Sequence, residues 1–377
     1  MRLSEEQRAI QETARQFAAK EITPHVRQWE RAGGAPRALY KAMGQAGLMG
    51  ICVDPELGGA GADFVSYAVA VEEIAAADCG IANMMGANNS PVAAAIAANG
   101  SAAQKAQWLP AICAGDALGA ILLSEPQAGS DAANILTRAT RHGNGWRING
   151  TKQFITGGST ADVAMIVAVT DPEAGKRGIS CFLVPTNRAG YRVARKEDKL
   201  GHRTNDTCQI ALEDLEASDE EILGSPGRGL GIALENLSNG RIGVAAQAVG
   251  TARAALDAAM AYAEERITFG KPIVEHQAIS FQLAQMATQV EVARQMYLHA
   301  AALEVAGEPT AKEAAMAKLF ASQMSEQVCS DAIQIHGGYG FLTDYPVEKY
   351  YRDARVLQIY EGTNEVQKIV IARSLRR

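Results

Sequence analysis

Near its C-terminus the chain carries Gln358-Ile359-Tyr360-Glu361-Gly362-Thr363-Asn364-Glu365. Glu361 follows an apolar stretch (Val356, Leu357, Ile359, Tyr360) and precedes Gly-Thr, where the backbone can come close to a ligand. Such a setting desolvates a carboxylate, raises its pKa and suits it to general-base chemistry. A glutamate at a loop-to-helix junction also serves as a solvated cap, so the reading depends on what else the chain contains.

Other segments place chemistry-bearing side chains at useful spacing. Leu123-Ser124-Glu125-Pro126-Gln127-Ala128-Gly129-Ser130-Asp131 joins two hydroxyls to a glycine that frees the backbone to approach a ligand. The same residues also make an ordinary Pro-Gly turn. Lys152-Gln153-Phe154-Ile155-Thr156-Gly157-Gly158 sets Phe154 and Thr156 two apart, hence on one face of a strand, where a flat ring could stack and hydrogen-bond. An ordinary strand pair has that pattern too. In residues 265–277, Arg266, Thr268 and Phe269 stand at a helix end before Gly-Lys-Pro and could bind a phosphate and an aromatic base. A helix C-terminus favours basic residues in any case. Gln334-Ile335-His336-Gly337-Gly338-Tyr339-Gly340-Phe341 is a Gly-rich loop able to offer backbone amides to a phosphate. It is not a GxGxxG after a strand, so no nicotinamide-type site is implied.

Three stretches of different period must position these residues. Residues 1–120 read as helical: Ile10, Ala14, Phe17 and Ala18 recur at 3–4 spacing, as do Tyr67, Val71, Ile74 and Ala75. From 121 to 225 short extended runs (136–141, 146–149, 153–156, 163–169, 179–184, 208–212) lie between turn signals at Gly143-Asn144-Gly145 and Asn149-Gly150, as in a small β-barrel or sandwich. From 226 to 377 helical periodicity returns. Leu230, Leu234 and Leu237 form one stripe, Ala252, Leu256 and Ala259 another, and Phe281, Gln285, Thr288 and Val292 a third with a mixed face. Four long helices with Ala-rich faces imply a bundle. The expected fold is α+β, mainly α: an N-terminal helical domain (1–120), a central β-barrel domain (121–225) and a C-terminal four-helix bundle (226–377).

Composition narrows the function. With 377 residues, 47% hydrophobic and 21% charged, the chain can bury two or three cores. A net charge of −6 argues against a general nucleic-acid binder. The six cysteines are scattered without CxxC spacing and the six histidines do not cluster, so reduced thiols and no metal site are expected. The N-terminus reads as a capping box, Ser4 with Gln7, rather than a signal peptide. Apolar runs fall short of the roughly 18 residues that cross a bilayer. A soluble, cytoplasmic protein with no membrane or nucleic-acid partner is the expectation.

Each segment is individually ordinary; their order and joint occurrence are not. The whole chain resembles the acyl-CoA dehydrogenase family of flavoproteins through SEPxAGSD, ERxTFGKPI…HQ, QxxGGxGF and IYEGTNE. The resemblance implies non-covalent FAD and a homotetramer built as a dimer of dimers. It implies that residues 121–130, with Ile121, Leu123, Ser124 and Ser130, and the strand Phe154–Thr156 wrap the flavin. Arg266, Thr268, Phe269 and Gln277 would hold the pyrophosphate and adenosine. Gln334, Gly337 and Gly338 would contact FAD bound mainly by a neighbouring subunit, while Thr363 and Glu365 touch the flavin from the catalytic loop. Ser130, Ser238, Arg241, Tyr360 and Gly362 would contact the substrate.

The implied reaction is α,β-desaturation of an acyl-CoA thioester. Glu361 takes the α-proton, the β-hydrogen leaves as hydride to flavin N5, and the electrons pass to an electron-transfer flavoprotein. In the family the thioester carbonyl is bonded by the base's own N–H and a flavin ribityl hydroxyl, which would stabilise enolate-like charge. A minority of members place the base directly before the arginine that Arg241 matches; here that position is Gly240, leaving Glu361 as the candidate. Ser238 stands where many members have Asp, altering a usual substrate contact. His202 also departs from the commoner pattern and reads as structural. The rival readings are an acyl-CoA oxidase, an enoyl-CoA reductase on the same scaffold, and a catalytically silent acyl-CoA-binding protein. Glu361 argues against monooxygenase relatives, which need no such base. Acyl length and branching are not legible.

Overall fold

A computed structural model describes residues 2–376, without the side chains of residues 236–238; the side chain of Ser238 therefore lies outside the described residues. The N-terminal helices are α1 (Glu5–Phe17), α2 (Val26–Ala32), α3 (Arg37–Gln45), α4 (Phe64–Ala77), α5 (Cys79–Ala87), α6 (Ala94–Asn99) and α7 (Ala102–Cys113). The capping box forms as read: Ser4 Oγ accepts from the Gln7 N–H at 3.1 Å and Gln7 Oε1 from the Ser4 N–H at 2.9 Å. Helix α4 is apolar almost all round and is buried on nearly every side, including Glu72 and Glu73. Those two carboxylates are paired with Arg253, Arg294 and Arg15, which makes their burial tolerable.

The middle strands are β1 (Gly119–Leu122), β2 (Arg138–His142), β3 (Gly145–Thr156), β4 (Val163–Val169), β5 (Ile179–Pro185), β6 (Tyr191–Lys196) and β7 (Thr207–Ser218). Among the described residues they form one seven-stranded sheet in which β5 and β6 stay on the two margins, so it curls into a half-barrel and does not close. The turn expected at Asn149-Gly150 is absent. Both residues lie inside β3, at a register shift opposite β7, where a Cβ on Gly150 would stand 2.4 Å from Thr137 Oγ1. Glycine here permits a bulge and close packing, not a hairpin.

The C-terminal elements are α8 (Gly229–Glu265), a short ribbon of β8 (Ile267–Thr268) and β9 (Lys271–Pro272), α9 (Gln277–Val305), α10 (Ala311–His336), α11 (Val347–Ala354) and α12 (Asn364–Ser374). Three of the helices are long, not four: α11 and α12 run only 8 and 11 residues. Helix α4 packs on α8 and supplies further helical wall. A Cβ on Gly250 would meet Glu72 O at 2.2 Å, so the two backbones nearly touch. The stripe expected on α9 through Phe281 and Val292 is its exposed side, and the helix buries Leu283, Met286, Val290 and Ala293 instead. One hydrophobic core joins α1, α4 and α5 to α8, α9 and α10, so both helical domains share it; a second packs one side of the sheet against α6, α7 and the start of α8, and a third lies within the sheet.

Candidate active site

Glu361 and Gly362 make the turn between a short helical segment, Arg355–Gln358, and α12. Both take left-handed backbone, with φ of 53° and 84°. For a non-glycine residue that conformation costs about 1–3 kcal/mol and persists only when the surroundings enforce it. Three groups do so. Thr363 caps α12 by accepting from the Val366 N–H at 3.3 Å. Gln367 Nε2 donates to the carbonyls of Gly362 at 2.7 Å and Glu361 at 3.3 Å. Lys318 Nζ, reaching from α10, donates to the Gly362 carbonyl at 2.8 Å and to Asn364 Oδ1 at 3.1 Å.

The turn aims the carboxylate at the middle of α8. A Cβ on Gly240 would lie 2.7 Å from Glu361 Oε2, so the missing side chain leaves the acid its place. Glu361 keeps partial solvent access, yet burial raises its pKa above the usual carboxylate range, with Arg241 and Lys318 pulling it back. Burial pushes Lys318 down to about 7, Glu361 opposing. Burial also lowers Arg241, whose Nε is enclosed without a hydrogen-bond partner among the described residues. The Tyr360 hydroxyl donates to the Gln247 side chain, and its ring meets His202 edge-on at 5.9 Å. Buried Tyr67 brings its hydroxyl within 3.0 Å of a Cβ on Gly243, one turn of α8 beyond Gly240.

The end of β3 meets α5 of the N-terminal helices. Thr156 Oγ1 accepts from Asn83 Nδ2 at 3.4 Å, and a Cβ on Gly157 would stand 2.6 Å from Met84 Cε. Phe154 and Thr156 do not share a regular strand face. The ladder shifts between Lys152 and Ile155, and Phe154 has φ of 60° and is 68% exposed. Left-handed backbone at a bulky residue costs about 1–3 kcal/mol, and here it leaves the aromatic ring of Phe154 facing outward. The 123–131 loop is pinned from below by a buried pair that sequence reasoning missed. Lys152 Nζ donates to Glu125 at 2.9 Å and to the Leu123 and Val167 carbonyls at 3.1 and 2.7 Å. Burial would raise Glu125, but Lys152 and the bonds from Thr137 and Leu136 hold it at about 2. Ile121, Leu123 and Ser124 are half-buried along this edge; Ser130 is exposed beside Gly129.

A second group gathers at the far end of α8. Arg266, Thr268 and Phe269 line a cavity of about 550 Å³ together with Gly337 and Gly338. Tyr262 and His336, stacked at 4.3 Å, line it too and were not singled out in the sequence. Phe269 is 98% exposed and Arg266 lies over the Tyr339 ring at 5.8 Å. Gln277 and Gln334 are exposed nearby but do not line the cavity. Gly240 and Glu265 are separated by about 37 Å of helix at 1.5 Å per residue, so within one chain this group is remote from Glu361.

Comparison with known proteins places this arrangement. The chain matches the acyl-CoA dehydrogenase N-terminal domain over residues 4–116, the middle domain over 120–215 and the C-terminal domain over 227–376. It is 44% identical to mouse mitochondrial short-chain specific acyl-CoA dehydrogenase over 375 residues, covering 100% of this chain and 91% of that one. Butyryl-CoA dehydrogenase from Megasphaera elsdenii superposes with a TM-score of 0.98 at 39% identity, covering 100% of both chains. A chain solved in work on the electron transferring flavoprotein of Acidaminococcus fermentans and flavin-based electron bifurcation has a TM-score of 0.98 at 44% identity, covering 100% and 99%. The chain belongs to the acyl-CoA dehydrogenase family. It is an oxidoreductase acting on CH–CH bonds.

Proposed function

We propose that this protein catalyses FAD-dependent α,β-dehydrogenation of a short-chain acyl-CoA thioester, with Glu361 as the base that removes the α-proton. The observation that carries the reading is the strained, desolvated Glu361 held against α8 at Gly240, with Arg241 and Lys318 as its cationic neighbours. A raised pKa makes the carboxylate a stronger base toward a weakly acidic C–H. Among the described residues the Glu361 N–H donates to no internal acceptor, which suits it to meet a thioester carbonyl as enolate-like charge develops.

The residues present fit a flavin dinucleotide. Phe154 offers an exposed aromatic face beside Thr156, and Gly337 and Gly338 leave open space where a Cβ would point. Arg266 and Thr268 supply donors for a pyrophosphate. FAD, when bound, supplies the hydride acceptor. One molecule of it is too short to reach both groups of residues in one chain, given the length of α8. We therefore assign Arg266, Thr268, Phe269, Gln277, Gln334, Gly337 and Gly338 to the flavin seated at a neighbouring subunit's Phe154, Thr156 and Glu361. A homotetramer of paired dimers accommodates this sharing.

Short acyl groups are favoured by the named relatives and by Tyr67, whose buried ring closes the space one turn from the carboxylate. The relative studied with an electron transferring flavoprotein supports that class of acceptor. The test is anaerobic flavin absorbance during titration with butyryl-, hexanoyl- and octanoyl-CoA, for wild type and Glu361→Gln. Butyryl-CoA should bleach the wild type, and the variant should lose at least about 10³-fold in rate. Flavin that no thioester bleaches, or full activity in the variant, would overturn the reading.

A further inference from the structure

Lys318 is fully buried, yet among the described residues no carboxylate lies within ion-pair distance of it. A lysine enclosed with only neutral acceptors is a poor way to stabilise a helix bundle, because an apolar side chain of the same volume avoids the desolvation cost. Both of its acceptors, the Gly362 carbonyl and Asn364 Oδ1, belong to the segment that carries Glu361. Ser322, one turn along α10, donates to the same Asn364 oxygen at 3.1 Å, so that oxygen is held on two sides.

We propose that Lys318 is a positioning residue for the base, pinning the Glu361–Gly362 turn and, while protonated, adding to the charge of Arg241 that favours the ionised Glu361. The proposal rests on Glu361 being the base. The charged and titratable groups facing the pair come from four elements. Arg241 approaches from α8, Glu365 from α12, Tyr67 from α4 and Tyr360 from the turn itself. Arg241 is the other cation, but it makes no hydrogen bond to the turn among the described residues, so Lys318 alone couples charge to geometry.

The sign follows directly. A nearby cation favours the carboxylate, so removing it raises the Glu361 pKa and moves the acid limb of kcat/KM to higher pH. The experiment uses FAD-loaded protein and two variants, Lys318→Met and Asn364→Asp. The Glu361 carboxyl is followed by infrared difference titration, its band identified by loss in Glu361→Gln. The pH profile of kcat/KM for butyryl-CoA is measured alongside, with flavin content and melting temperature as controls. In Lys318→Met both titrations should move up together by about one pH unit or more. At its own optimum kcat should fall about tenfold or more, while KM changes by less than about threefold.

Asn364→Asp keeps Lys318 but sets a carboxylate on its acceptor, cancelling its field, and should move the Glu361 titration in the same direction. It decides the matter if the Lys318→Met protein does not fold. An unmoved Glu361 titration in a folded variant overturns the proposal, whatever happens to the rate. If wild type does not turn over thioesters, the dehydrogenase reading fails, and the infrared titration still reports on Lys318 separately.

Discussion

Glu361 and Gly362 stand side by side in left-handed backbone, and the two residues tolerate it for different reasons. Gly362 has no Cβ to clash, whereas Glu361 is held there by the bonds from Gln367 and Lys318 to the carbonyls of the turn. Gly362→Ala should therefore harm the site in two ways. Its φ of 84° disfavours any side chain, and the new Cβ would stand 2.8 Å from Gln367 Nε2, the group that restrains the turn. We expect reduction of the flavin by butyryl-CoA to slow by about 10–100-fold, measured by anaerobic stopped flow, with flavin content retained and the melting temperature lowered by a few degrees at most. Wild-type rates would show that the turn does not need this geometry. The glutamate and its glycine were legible in the sequence as a candidate base beside a close backbone approach. The lysine 43 residues earlier was not, since nothing local to Lys318 signals a partner in the turn.

Helix α8 is the element against which the site is measured. Gly240 receives the Glu361 carboxylate, Gly243 meets Tyr67, Gln247 accepts from Tyr360 and Gly250 lets α4 approach, all on the side that faces the core. Glycines at 240, 243 and 250 let neighbouring groups come close to the helix, and in the proposed reading the Tyr67 ring there limits the length of the acyl pocket. Tyr67→Ala should open that pocket and move chain-length preference from butyryl- toward octanoyl-CoA, read as a change of about tenfold or more in the ratio of their kcat/KM values. An unchanged ratio would show that Tyr67 does not wall the acyl site. At this scale periodicity gave helix and strand types well but misjudged faces. On α9 the line through Phe281, Gln285, Thr288 and Val292 is a valid helical stripe, and only packing against α8 and α10 selects the parallel line through Leu283, Met286, Val290 and Ala293. In β3 the Asn-Gly signal was read as a hairpin because its opposite partner, β7, lies some sixty residues away, and a bulge against it has the same local signature.

For the whole molecule, the length of α8 separates two sets of residues that we assign to one dinucleotide. If the flavin site is shared between subunits, two inactive variants should repair each other. Glu361→Gln keeps an intact Arg266, and Arg266→Ala keeps an intact Glu361, so a mixed pair contains one complete site. Unfolding and refolding an equal mixture should recover roughly a quarter of wild-type activity, because half the pairs are mixed and each has one working site of two. No recovery, with mixed assemblies confirmed by native mass spectrometry, would show that each chain completes its own site.

Residue order and motif content by themselves determined the family, the succession of helical, sheet and helical regions, and the glutamate that stands before Gly-Thr. These are local properties: period, turn chemistry and short segments whose side chains act together. Tertiary structure decided that the sheet stops at a half-barrel, that Phe154 leaves its strand alternation, that Arg266 and Gly337 line one cavity, and that Lys318 reaches the turn of Glu361. Each depends on backbone or side-chain atoms brought together across tens to hundreds of residues, where the deciding quantities are distance and desolvation. Neither is written in the spacing of residues along a chain.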